Sequence, residues 1–343
     1  MDDFSEEGHS ALDGTTHRRI ASLSINTKDS ADDHAAPASS DGSDCAAGGG
    51  GAAPARPGYA QQLRLAEVLA GGGRHEDALA VLDPLLAQRP EDPRALCLQG
   101  GCLAGTGARA QALAAFAGAL AADPEQAEAL LGCAALYRDS GLFHEALASV
   151  EKAHALAAAP AAGDDDAAAL ADRTSRALAV LLTDLGTQMK VAGQPGWRDL
   201  YERAVAACPS FAPAHYNLGV GAAEGGDADE AAARYARAAA LEPLYAEAWC
   251  NLGGLHRAAG RLEEAVAALE AAYAAAPEVP LVRASLAVAL TDRGNALRAA
   301  GDREGGMRAY ERALALEPRY AEALYNAAWV LAEAGELHRA AFM

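Results

Sequence analysis

AEAWCNLGGLHRAAGRLEEAVAALEAAYAAAP, residues Ala246 to Pro277, reads as two short antiparallel helices joined by a turn at Ala259, Gly260 and Arg261. In the first half Trp249, Leu252, Gly253 and His256 fall at i, i+3, i+4 and i+7, one face at 3.6 residues per turn. In the second, Ala265, Leu269 and Ala272 share a face, and Pro277 stops the helix because its ring cannot continue the hydrogen-bond ladder. Small residues at Gly253 and Ala265 let the two helices approach closely. The same order stands thirty-four residues earlier as Leu218, Gly219, Gly226, Ala231, Tyr235, Ala238 and Pro243.

The unit recurs from Tyr59. The first copy carries Leu65, Ala66, Gly73, Ala78, Leu82 and Pro90; the second carries Gly100, Gly107, Ala112, Phe116, Ala119 and Pro124. The third has Tyr137, Gly141, Ala146, Val150 and Ala153, with its proline displaced to Pro160. A fourth spans roughly 178–211 and a fifth 212–245, and the opening stretch is the sixth. Pro318 follows Pro277 by 41 residues, and seven extra residues are two helical turns, which predicts a lengthened first helix in the seventh unit. An eighth begins at Ala321 and is cut just inside its second helix.

This spacing and these residue types resemble the tetratricopeptide repeat. The expected fold is all-α: a right-handed superhelix of about seven and a half helix-turn-helix repeats, the first helix of each lining its inner wall. Residues 59–160 would hold repeats 1–3 and residues 178–343 repeats 4–8. Between them, 161–177 contains Gly163 and Asp164-Asp165-Asp166 and is expected to be an acidic linker. Three adjacent aspartates cannot all face one ion on a regular element, so a cation site is not expected there. Residues 1–57, rich in Asp, Ser, Gly and Ala, cannot bury enough apolar surface to offset their ordering entropy and are expected to be disordered.

Composition agrees with helices and close crossings: 5% of the chain is aromatic and alanine is abundant. A net charge of −19 disfavours nucleic acid or an anionic membrane as partner. No apolar run approaches the ~20 residues needed to cross a bilayer. MDDFSEEGHS lacks the basic and apolar regions of a secretory signal, and Arg18-Arg19 is too short to serve as a localisation signal. The six cysteines show no metal-ligand spacing, which points to a reducing compartment, cytoplasm or nucleus. No nucleotide loop, nucleophile elbow or zinc motif is present, so no catalytic residue, metal ligand or bound cofactor is expected. His215 and His256 sit on apolar faces, where a packed histidine is far commoner than a ligand.

Asn217, Asn251 and Asn326 each occupy the sixth position of a repeat and would project toward the inner wall, beside Tyr216 and Tyr325. An amide offers two donors and an acceptor, so a ladder of them would pair with the backbone of an extended peptide whatever its sequence. The alternative is that these asparagines bond to the neighbouring repeat.

A longer duplication overlies the short one. Leu182-Thr183-Asp184 and Tyr201-Glu202-Arg203-Ala204 recur as Leu290-Thr291-Asp292 and Tyr310-Glu311-Arg312-Ala313, and Tyr216-Asn217 recurs as Tyr325-Asn326. Gln194-Pro195-Gly196-Trp197 replaces the usual turn, and local distortion is expected there. These blocks, with YERAVAACPSFAPAHYNLGV (201–220) and YAEAWCNLGGLHRAAGRLEEAV (245–266), resemble the repeat region of SPINDLY-type protein O-glycosyltransferases. The resemblance covers about residues 59–343. It implies a nucleocytoplasmic enzyme that modifies Ser/Thr of protein substrates from UDP-N-acetylglucosamine or GDP-fucose, with repeats that select substrates, support a homo-oligomer and, in plants, restrain gibberellin signalling. Nothing in the chain corresponds to that family's catalytic domain, so the chain alone is expected to be inactive. The uncovered Leu324, Ala328, Trp329 and Leu331 favour a further domain in the full-length protein over a partner at that end. The competing expectation is a stand-alone scaffold or adaptor without enzymatic activity.

Overall fold

Turns set by left-handed glycines divide this chain into hairpins: at each tight turn a glycine such as Gly107, Gly226, Gly260 or Gly301 takes φ between 73° and 91°, where a Cβ would be strained. The computed structural model describes residues 58–158, 165–336 and His338, all in one compact unit. The tail 1–57, Pro160, Gly163, Asp164 and the start of the last second helix lie outside the described residues.

Among the described residues there are fifteen helices and no strand. They are α1 Tyr59–Gly71, α2 His75–Gln88, α3 Pro93–Gly105, α4 Arg109–Ala122, α5 Ala127–Asp139 and α6 Phe143–Ala157. Then come α7 Asp165–Val191, α8 Trp197–Ala207, α9 Ala212–Glu224, α10 Ala228–Leu241 and α11 Ala246–Ala258. Last are α12 Leu262–Ala275, α13 Pro280–Ala299, α14 Arg303–Leu316 and α15 Ala321–Glu333. Odd-numbered helices are the first of each pair and pack on the even-numbered helix that follows; each pair then packs on the next, which makes a solenoid. Successive first helices also touch one another, whereas successive second helices make no comparable contact. The first helices therefore form the inner row.

Close crossings within pairs explain the small residues. A Cβ on Gly219 would lie 2.8 Å from the ring of Tyr235, and one on Gly294 would lie 2.5 Å from that of Tyr310. Both rings are fully buried, each worth roughly 1.5–3 kcal/mol on the scale of a buried large side chain.

The lengthened first helix is present: α13 has 20 residues and α11 has 13, a difference of seven. The acidic linker is not. From Asp165 onward residues 161–177 belong to the 27-residue α7. Asp165 and Asp166 occupy its first turn, where the helix dipole favours acids. Leu170, Thr174 and Leu178 follow at intervals of four; Thr174 and Leu178 are buried, and Leu170 packs on Ala127, Leu130 and Ala153. The stretch is a helix because its inward face has a neighbour to cover it. The expected distortion at Trp197 takes the form of an added turn at Pro195-Gly196 and an α8 of only 11 residues.

Candidate functional site

Side chains at the fifth, sixth and ninth residues of the first helices line the seams and open surface of the inner row. The three asparagines do not behave alike. Asn251, on α11, is buried, and its Nδ2 donates to the Tyr216 hydroxyl on α9 at 3.2 Å. It therefore holds two repeats together, the alternative role weighed for these residues, and its donor is unavailable to a peptide. Asn217, half-buried on α9, and Asn326, buried on α15, make no hydrogen bond among the described residues.

Tyr216, expected on the open wall, is 2% exposed. Its ring lies 5.7 Å from that of Tyr235 and 5.0 Å from that of Tyr245, so it fills the seam between two pairs, and burial pushes its hydroxyl up. Tyr325, its counterpart in the duplicated block, is 63% exposed, with its ring 6.1 Å from that of Trp329. One duplicated dipeptide thus stands in two environments, buried at Tyr216 and exposed at Tyr325.

The Leu-Thr-Asp blocks occupy equivalent places, and sequence reasoning gave their aspartates no role. Asp292 accepts from Arg257 Nη1 of the preceding first helix at 3.1 Å. Asp184 stands likewise beside Arg138; burial raises its carboxyl and the guanidinium opposes that. Downstream, the Tyr201 hydroxyl meets Thr187 at 3.1 Å and the Tyr310 hydroxyl donates to Asn295 Oδ1 at 2.7 Å. The recurrence of Leu-Thr-Asp two residues before the close-contact glycine was the available signal. Such partly exposed pairs contribute about 0–1 kcal/mol and set register more than stability.

Trp197 is a second residue whose contacts sequence reasoning missed. Its ring covers Gly221 of the next pair, where a Cβ would lie 2.4 Å away. Lys190 sits 5.2 Å above that ring and pairs with Glu224 at 3.0 Å.

No group of three or more metal-ligating side chains occurs among the described residues. His215 is buried with Nε2 3.0 Å from the Pro209 carbonyl, and His256 Nδ1 accepts from Arg261 Nε at 3.0 Å. Burial pushes the Cys97 thiol up to about 12 and raises those of Cys102, Cys133 and Cys250, so these sulfurs stay protonated and pack as small apolar groups. No helix among the described residues is long and apolar enough to cross a membrane.

Two family models, both described as tetratricopeptide repeat, match this chain, one at residues 63–110 and 216–280 and the other at 309–341. The described residues form a tetratricopeptide-like solenoid, and these segments match the repeat. The C-terminal part of a repeat-containing protein from Cytophaga hutchinsonii has the same architecture: its crystal structure superposes with a TM-score of 0.52 at 14% identity, covering 77% of this chain and 98% of that one. The chain is also similar to a probable UDP-N-acetylglucosamine–peptide N-acetylglucosaminyltransferase SPINDLY of Hordeum vulgare, with 35% identity over 160 residues. That match takes in 46% of this chain and spans 16% of the barley protein's length.

Proposed function

We propose that this tetratricopeptide-repeat solenoid binds extended protein segments along its inner row and serves as the substrate-recognition region of a SPINDLY-like protein O-glycosyltransferase. The observation that carries the binding role is the half-buried inner-row amide of Asn217, which like the more deeply buried Asn326 makes no hydrogen bond among the described residues. Asn217 offers donors and an acceptor to a passing backbone with no demand on its side chains, and Asn326 repeats that amide at the same register beneath its cover. Support for the enzyme class is the similarity of 160 residues to the barley protein. In that setting the solenoid presents Ser/Thr-bearing segments of target proteins, and a separate catalytic unit transfers N-acetylglucosamine or fucose from its nucleotide donor.

The test uses Ser/Thr-rich peptides selected on an array and then titrated by fluorescence anisotropy. Replacing Asn217 and Asn326 together by alanine removes two hydrogen bonds at about 0.5–1.5 kcal/mol each and weakens binding about tenfold, with melting nearly unchanged. Asn251→Ala does the reverse: it lowers stability by about 1 kcal/mol and leaves the amides of Asn217 and Asn326 in place. Unaltered peptide affinity in the double variant would remove the binding role from these residues.

A further inference from the structure

Each duplicated block, Leu-Thr-Asp followed by Tyr-Glu-Arg-Ala, sends one charged side chain in either row toward the repeat before it. Among the second helices the two copies agree. Arg203, two residues after Tyr201 on α8, donates from Nη2 to Oε1 of Glu151, the ninth residue of α6, at 2.6 Å. Arg312, two residues after Tyr310 on α14, makes the same bond to Glu270, the ninth residue of α12. Among the first helices the copies differ. Asp292 on α13 accepts from Nη1 of Arg257, the twelfth residue of α11, at 3.1 Å. The matching residues are Asp184 on α7 and Arg138, the twelfth residue of α5, yet no hydrogen bond or ion pair joins them.

Arg138 turns instead to its neighbour on the same helix, with Nη2 3.5 Å from Oδ1 of Asp139. Asp184 is left half-buried without a hydrogen bond; burial raises its carboxyl, and the charge of Arg138 opposes the rise. The cause of the difference is one residue. The thirteenth residue of α5 is Asp139, whereas the thirteenth of α11 is Ala258, which offers Arg257 no competing acceptor. The rest of this seam is tied. Arg173 on α7 donates to Glu128, the second residue of α5, at 3.2 Å, and Arg203 ties the second helices. Glu128 and Arg138 stand ten residues apart, about 15 Å along α5, so the untied part is the end of α5 beside the turn.

We propose that Arg138 and Asp184 form a latch between repeats 3 and 4, held open by Asp139, whose closure fastens α5 to α7 as Arg257 and Asp292 fasten α11 to α13. Two carboxylates compete for one guanidinium, so whatever occupies or neutralises Asp139 shifts Arg138 to Asp184. The latch is a property of the fold and holds whether or not the inner row binds protein segments.

Hydrogen exchange on the full 343-residue chain, followed by mass spectrometry over peptides from α5 and from residues 178–191, reads it. Asp139→Asn frees Arg138 and is expected to slow exchange there about two- to fivefold, the range of a partly exposed ion pair. Removing an acid from the last turn of a helix is also stabilising through the helix dipole, so the decisive comparison is with Asp184→Asn. In the Asp139→Asn background, Asp184→Asn is expected to reverse most of the gain; in the natural chain, with the latch open, it changes exchange far less. Repulsion between the two aspartates would give the same pattern, and Arg138→Gln separates the causes: in its presence the effect of Asp184→Asn is expected to be the same with and without Asp139→Asn. All three replacements are near-isosteric, and circular dichroism checks that helicity is kept. An Asp139→Asn chain that exchanges like the natural one, a gain that survives Asp184→Asn, or a coupling that persists in Arg138→Gln would each overturn the proposal.

Discussion

His215 shows how one buried side chain ties the array to pH. Its Nε2 faces the Pro209 carbonyl, while Nδ1 is buried without a partner. Burial, foremost, and the nearby Arg234 and Arg237 hold its pKa below the ordinary histidine value, against the pull of the Pro209 carbonyl. A folded pKa below the unfolded one means that the unfolded chain takes up the proton more readily. The resulting stability is complete above about pH 6.5 and is lost as pH falls below it. Thermal melts at about pH 7.5 and about pH 5.5 should therefore show acid destabilisation, smaller in His215→Gln, which keeps a donor for the carbonyl but does not titrate. His256 is depressed in the same direction and leaves a residual slope. Equal slopes in the natural chain and the variant would exclude His215 as a source. At this scale the sequence shows which asparagines share a register position. It does not show that, of these three, Asn251 is the one that finds a tyrosine hydroxyl, because that depends on Tyr216 being sealed by the next pair.

Among the elements, α7 departs most from expectation. Its first turns lack the small–turn–stop grammar of the repeats, and the acidic triplet resembles a solvated loop; what makes them helical is tertiary, the groove beside Ala127, Leu130 and Ala153. Leu170→Ser should therefore cost about 1–2 kcal/mol and lower the melting temperature by a few degrees. An unchanged melting curve would mean that the segment behaves as a linker. By contrast α13 was legible to the residue, since a proline spacing of 41 in place of 34 leaves a helix two turns longer as the simplest outcome. The hairpins were legible for a similar reason. Glycine turns and glycine-on-ring crossings are local constraints, and each needs one residue type at one spacing. The covering of Gly221 by Trp197 was not legible, because it joins two repeats through a turn longer than the others.

Across the molecule, stability accumulates pair by pair, since each apolar seam is completed by the pair that follows. The same rule that buries Tyr216 leaves Tyr325 open, and the contact pattern that makes the array a solenoid places the first helices on the inside. On the proposed function this inner row, and not the outer one, meets protein segments. Gly101 and Gly254 are exposed ninth residues of α3 and α11, with open space where a Cβ would stand, and Ala236 is exposed on α10, a second helix. A photo-crosslinking side chain placed at each of the three, in separate proteins, and irradiated with a bound array-selected peptide measures the claim directly. Crosslinks from positions 101 and 254 with little or none from 236 are the predicted result; capture from 236 with none from 101 and 254 would contradict it.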